Sequence, residues 1–142
     1  MDSDLMAYLK NICVKNGIRV IFENRLSAFT PSSASLKARC IVLNMNFHNR
    51  KELPLQFAHE IAHILNGSSY DLAFYHASFS SHSKIEKVAN VGAVKLLLDY
   101  ANSNDIPVTN MVNFMASFGI PTALIETVNE TLGLYLSAKH NP

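Results

Sequence analysis

The chain has 142 residues, 49% of them hydrophobic and 16% charged, with a formal net charge of +1. That is enough for one domain with a substantial core, and it is too apolar for a disordered chain. The near-zero charge excludes a general pull toward nucleic acid or an acidic membrane surface, and no apolar run reaches the length that spans a bilayer.

The start, Met1-Asp2-Ser3-Asp4, is acidic and lacks the basic-then-apolar pattern of a secretory signal. With two cysteines, Cys13 and Cys40, the chain reads as a cytoplasmic protein with reduced thiols. Cys40, in the apolar run Cys40-Ile41-Val42-Leu43, reads as core, and neither cysteine has a His or Cys partner at ligand spacing.

In chain order, residues 3–16 place Leu5, Met6, Leu9, Ile12 and Cys13 at helical spacing, and Gly17 stops the helix. Residues 17–23 read as a strand with Ile18, Val20, Ile21 and Phe22. Residues 26–36, Ser-rich with Pro31, read as a loop, and residues 39–44 as a second strand. The two strands are expected to pair as a hairpin with a long connection. A helix follows over 54–66, with Pro54 in its first turn and Gly67 as its stop. Residues 67–83 read as a loop rich in Ser, His and aromatics, 84–100 as a second core helix and 102–107 as a turn. Two shorter helices are expected near 108–118 and 121–137, separated by Gly119-Ile120-Pro121. The pattern is α+β, with no internal repeat and no linker, and reads as one domain over 1–142 with a core over about 5–100 and a helical part over about 107–137.

Residues 59–63 read His-Glu-Ile-Ala-His. Four residues apart on a helix, two imidazoles share a face and can meet one tetrahedral zinc, while the adjacent Glu60 reaches a water beside the metal. With about 100° per residue, Gln56, His59, Glu60 and His63 fall in one narrow stripe, and the remaining positions from Leu55 to Leu65 are apolar. Such a helix is buried, and its polar stripe needs partners. A pair of core histidines bonded to backbone carbonyls is the alternative, but it leaves Glu60 without a reason.

A catalytic zinc typically has three protein ligands and a water. Glu86 is the best third donor. On the 84–100 helix it shares a face with Asn90, Ala93 and Leu97, opposite Lys84 and Lys95, and a carboxylate on an apolar face is costly unless paired. Ser83-Lys84-Ile85-Glu86 also has capping-box spacing, so a cap alone is the competing role for Glu86. Asp71, His76 and His82 are the other candidate ligands.

His59-Glu60-Ile61-Ala62-His63-Ile64-Leu65 followed by Glu86-Lys87-Val88-Ala89-Asn90 resembles the ImmA/IrrE group of metallopeptidases, which pair a HExxH helix with a later ExxAN helix. The continuation Val91-Gly92-Ala93-Val94-Lys95-Leu96-Leu97-Leu98 departs from the group's pattern. Gly92 stands where a Phe is usual, and no Met-Pro end follows. The resemblance covers roughly residues 5–100. It implies a zincin-like, gluzincin-type fold and one zinc per chain on His59, His63 and Glu86. It also implies cleavage or inactivation of a helix-turn-helix repressor in a phage, mobile element or stress response.

In that mechanism Glu60 is the general base, Asn90 orients Glu86 from one turn away, and the oxyanion donor is one of Tyr70, Tyr75, His76 or His82. The helix-turn-helix look of residues 107–136 is set aside as a DNA reader, because no Lys or Arg lies between Lys95 and Lys139. Met111, Val112, Phe114, Met115 and Phe118 in that segment read as core or as a groove for a partner. The competing class of function is a binding module that sequesters a repressor without cutting it. A structural zinc site is disfavoured, because no cysteine lies near the motif. The oligomeric state is left open.

Overall fold

The structure, a computed structural model, describes residues 3–66 and 79–140, with side chains in the second stretch described from Lys84 to Ala138. Among these residues it is α+β. Helix α1 (Ser3–Lys15) is followed by strands β1 (Arg19–Glu23), β2 (Ser33–Ser35) and β3 (Cys40–Asn44). Then come α2 (Leu53–Asn66), α3 (Phe79–Ser103), α4 (Met111–Ser117) and α5 (Ile125–His140), with short 3-10 turns at Arg50–Glu52 and Thr122–Leu124. None of these helices is long and apolar enough to cross a membrane.

The sheet corrects the hairpin expectation. Its order is β1-β3-β2, with β1 parallel to β3 from Arg19↔Cys40 to Glu23↔Asn44. The intervening stretch, read from sequence as loop, contains β2, which pairs antiparallel with β3 at Ser33↔Val42, Ala34↔Ile41 and Ser35↔Cys40. Ser-Ala-Ser has no apolar alternation to reveal a strand; it is held by its neighbours. Asn44, fully buried, organises the crossover: its Nδ2 donates to Ser27 O (2.8 Å) and Thr30 O (2.6 Å), and its Oδ1 accepts from Asn46 N (2.9 Å). Ser32 Oγ accepts from Asn44 N (2.9 Å), which carries the chain into β2.

β3 is the buried centre of the sheet, with Ile41 and Leu43 wholly inaccessible. α1 and α2 pack on the sheet, α3 packs along α2, and α5 packs on α3. α1 ends in a hydrogen-bonded turn, Ile18 N donating to Cys13 O (2.9 Å) and Gly17 N to Val14 O (3.4 Å), which reverses the chain into β1. One contiguous hydrophobic cluster runs from Leu5 and Leu9 through Ile41, Phe57, Leu97 and Phe114 to Val128 and Leu132. Aromatic rings bind its two ends: Tyr8 lies 5.3 Å from Tyr100, Tyr100 6.3 Å from Phe118, and Phe118 5.0 Å from Phe114. Of the C-terminal apolar residues, Phe114, Met115 and Phe118 are therefore core, while Val112 is exposed. Both thiols are free and buried, and burial pushes Cys13 up to about 11, so it stays a neutral thiol at neutral pH.

Gly119 closes α4 with a positive φ of 64°, and a Cβ there would strike the Lys51 carbonyl. Gly119→Ala combines a left-handed backbone with a clash against fixed main chain. It is expected to cost about 2–4 kcal/mol and to lower the thermal midpoint by about 5–10 °C in a calorimetric scan.

Candidate metal centre

α2 carries the centre because every face but one is spent on packing. Leu53, Leu55, Phe57, Ala58, Ile61, Ala62 and Ile64 are buried, and only Leu65 and Asn66, at the end, are exposed. The polar stripe expected from the sequence is present. Gln56 Oε1 accepts from Ser32 N (3.2 Å) and its Nε2 donates to Glu52 (2.8 Å), which ties the start of β2 to the helix one turn before the motif. His59 and His63 stand side by side, with ring centroids 4.6 Å apart and planes nearly perpendicular at 85°.

Glu86 on α3 closes the pair. Its Oε2 lies 3.1 Å from His59 Nε2 and its Oε1 3.0 Å from His63 Nε2. The helix bearing it begins at Phe79, about a turn earlier than the sequence suggested, because Phe-Ser-Ser-His-Ser has weak helix propensity and reads as loop. Ser83 thus lies inside the helix and not at its N-cap, and the capping-box alternative for Glu86 loses its premise. Glu60 is 8% exposed, and its Oε1 stands 3.9 Å from His59 Nε2, too far for a hydrogen bond. His59, Glu60 and His63 together present three donor atoms within 4.8 Å of one another. Glu86 is the closer carboxylate and takes both imidazoles, which leaves Glu60 beside the cluster.

The electrostatics follow from this packing. Hydrogen bonds from both histidines hold the Glu86 carboxyl well below the usual carboxylate range, against the opposing effect of burial. Burial pulls His59 down, but the Glu86 hydrogen bond and the charges of Glu60 and Glu86 outweigh it, so its pKa stands above the ordinary value. Glu60 is raised, chiefly by burial and against the pull of the two histidines.

Asn90 was expected to orient Glu86. It lies close enough to His59 to help raise the pKa of that imidazole, the smallest of the influences on it. Tyr70, Asp71, Tyr75 and His76 lie outside the described residues, and so does the side chain of His82.

The donor set fits a zinc ion. At metal–ligand bonds of about 2.0–2.2 Å, the edges of a tetrahedron are about 3.3 Å, close to the present His59–Glu86 and His63–Glu86 separations. With a metal bound, two imidazole nitrogens and one carboxylate would be the three protein ligands that a catalytic zinc usually has.

What lets Glu86 reach across is the closeness of the two helices. Gly92, on α3, lies over Ala62: a Cβ at position 92 would sit 2.8 Å from Ala62 Cβ and 3.2 Å from Asn66 Nδ2. The departure from the family pattern at this position therefore has a packing reason. Gly92→Ala is expected to push the helices apart, cost about 1–3 kcal/mol and weaken zinc affinity about tenfold in a competition titration with a chromophoric chelator. Gly133→Ala, where no atom lies within 4 Å, should stabilise the fold by roughly 0.5–1 kcal/mol and leave affinity unchanged.

Residues 13–126 match the family model for Peptidase M78, described as the IrrE N-terminal-like domain. The match extends past the motif helices into the C-terminal helical part. No curated protein and no solved structure matches the chain.

Proposed function

We infer that this chain, which belongs to the Peptidase M78 family of IrrE N-terminal-like domains, is a cytoplasmic zinc-dependent endopeptidase holding one zinc on His59, His63 and Glu86. The observation that carries the reading is the division of labour between two carboxylates. Glu86 is hydrogen-bonded to both imidazoles, while Glu60 is buried beside them with its carboxyl free of that pairing. A pure binding module has no use for a buried carboxylate kept in that position at a desolvation cost.

A zinc ion bound there would supply a Lewis acid that polarises the scissile carbonyl and lowers the pKa of water toward neutrality. His59 and His63 would bind from Nε2, the atoms that now face Glu86, and Asn90, close to His59, supports that side of the centre. Glu60 takes the proton of the attacking water and passes it to the leaving amine. Burial raises its pKa toward the working pH, which suits a group that must accept and release a proton in one cycle. The substrate we propose is a helix-turn-helix repressor, supported by the likeness of the HExxH and ExxAN helices to the ImmA/IrrE group.

Metal analysis by mass spectrometry on protein purified without chelator should find about one zinc per chain, lost in His59→Ala and in Glu86→Ala. Metal retained in Glu86→Ala would remove Glu86 from the ligand set. Glu60→Gln should keep the zinc but lower the rate of repressor cleavage by a factor on the order of 10²–10⁴. A Glu60→Gln protein that cuts at the normal rate would refute the assignment of the base.

A further inference from the structure

The sheet has two edges, and they are built differently. β2 is three residues of Ser and Ala, anchored through Ser32 to Gln56. β1 is Arg-Val-Ile-Phe-Glu, apolar in its middle, without a Pro or Lys to discourage pairing. Ile21 is 45% exposed and Phe22 38%. In the ladder with β3, Arg19 N donates to Arg39 O (2.9 Å) and Glu23 O accepts from Met45 N (2.8 Å). Positions 19, 21 and 23 thus direct their main-chain groups inward, and Val20 and Phe22 direct theirs to the open side. Among the described residues no strand pairs there.

The charges on this edge are self-complementary. Arg19 and Glu23 terminate the strand on the same face as Ile21, since side chains alternate. Glu23 is already bonded to Arg25, with Oε1 2.8 Å from Nε and Oε2 3.1 Å from Nη2, but a carboxylate has acceptor sites for a second guanidinium, and the Arg19 guanidinium has no acidic partner among the described residues.

We propose that β1 is the surface on which a second copy of this chain docks, antiparallel about a twofold axis through Ile21, joining two sheets into one. In this register Val20 faces the partner's Phe22, and the two exchange both main-chain hydrogen bonds. Ile21 meets the partner's Ile21, and Arg19 meets the partner's Glu23 twice over, once on each side of the axis. A parallel arrangement would set Arg19 beside the partner's Arg19, and a two-residue slip would leave the charges facing Ile21. Charge therefore selects one arrangement. It also leaves the metal centre open: Phe57, whose ring lies 6.3 Å from Phe22, is about 160° around α2 from His59. A five-residue edge is smaller than a standard interface, so the association is weak and reversible.

Sedimentation velocity over about 10 µM to about 1 mM should show a monomer–dimer equilibrium for the full chain. Arg19→Glu and Glu23→Arg should each weaken it about tenfold or more, since each replaces two attractive pairs with two repulsive ones. An equimolar mixture of the two variants restores both pairs and should dimerise at least as well as wild type. Ile21→Glu, which sets two carboxylates on the axis, should abolish association, with circular dichroism confirming that each variant is folded. A wild type that stays monomeric throughout overturns the proposal, even if the edge captures an added extended peptide. So does a dimer indifferent to these substitutions, or a mixture that fails to recover.

Discussion

A carboxylate on one helix reaches two imidazoles on another, and this can happen only because the helices cross almost backbone to backbone. Gly92 over Ala62 sets that separation. With it, Glu86 comes within 3.0–3.1 Å of both Nε2 atoms; a side chain at position 92 would force the helices apart at the level of the motif. Ala62 Cβ is fixed to its helix and cannot swing aside, so a methyl group at position 92 is accommodated only by moving one helix against the other, and the geometry of the centre depends on its absence.

The core supports that crossing from both sides. β3 and α1 press on α2 from the sheet side, through residues such as Ile41, Leu43 and Leu9. Val94, Leu97 and Leu98 of α3 join the same cluster, backed by Phe114, Phe118 and Val128 from the C-terminal helices. The C-terminal third, which in sequence has the look of a helix-turn-helix, is thus bound to the layer behind the metal centre, and the ring series from Tyr8 to Phe114 joins it to the first helix. Its lack of basic residues, read as an argument against DNA contact, agrees with a segment that turns Phe114, Met115, Phe118 and Val128 into the core.

The centre also shows why a buried polar stripe is informative. Desolvation disfavours each of His59 and Glu60 in its charged form; for His59 the neighbouring carboxylates outweigh that cost, while for Glu60 the two histidines do not, and its pKa stays raised. Gln56 completes the stripe with a structural task, holding the start of β2 against α2. The same helix face thus joins the edge of the sheet to the cluster of imidazoles and carboxylates.

The sequence by itself determined whatever depends on local spacing. The repeat of a helix sets His59 and His63 side by side, the apolar remainder of residues 55–65 marks that helix as buried, and the match of HExxH with ExxAN names the family. Tertiary structure decided whatever depends on how distant segments meet. The direction of β1 against β3 follows from the path of the crossover, not from either strand. β2 is a strand only because β3 lies next to it, and the first turn of α3 is helical despite a Ser-rich sequence. Asn90 lies one turn from Glu86 along the chain but also acts on His59 across the helix crossing, and Gly92 becomes intelligible only opposite Ala62. Periodicity is a property of neighbours in sequence. Pairing direction, close approach and the partner of a buried amide are set by the balance of burial over the whole chain, which no local pattern records.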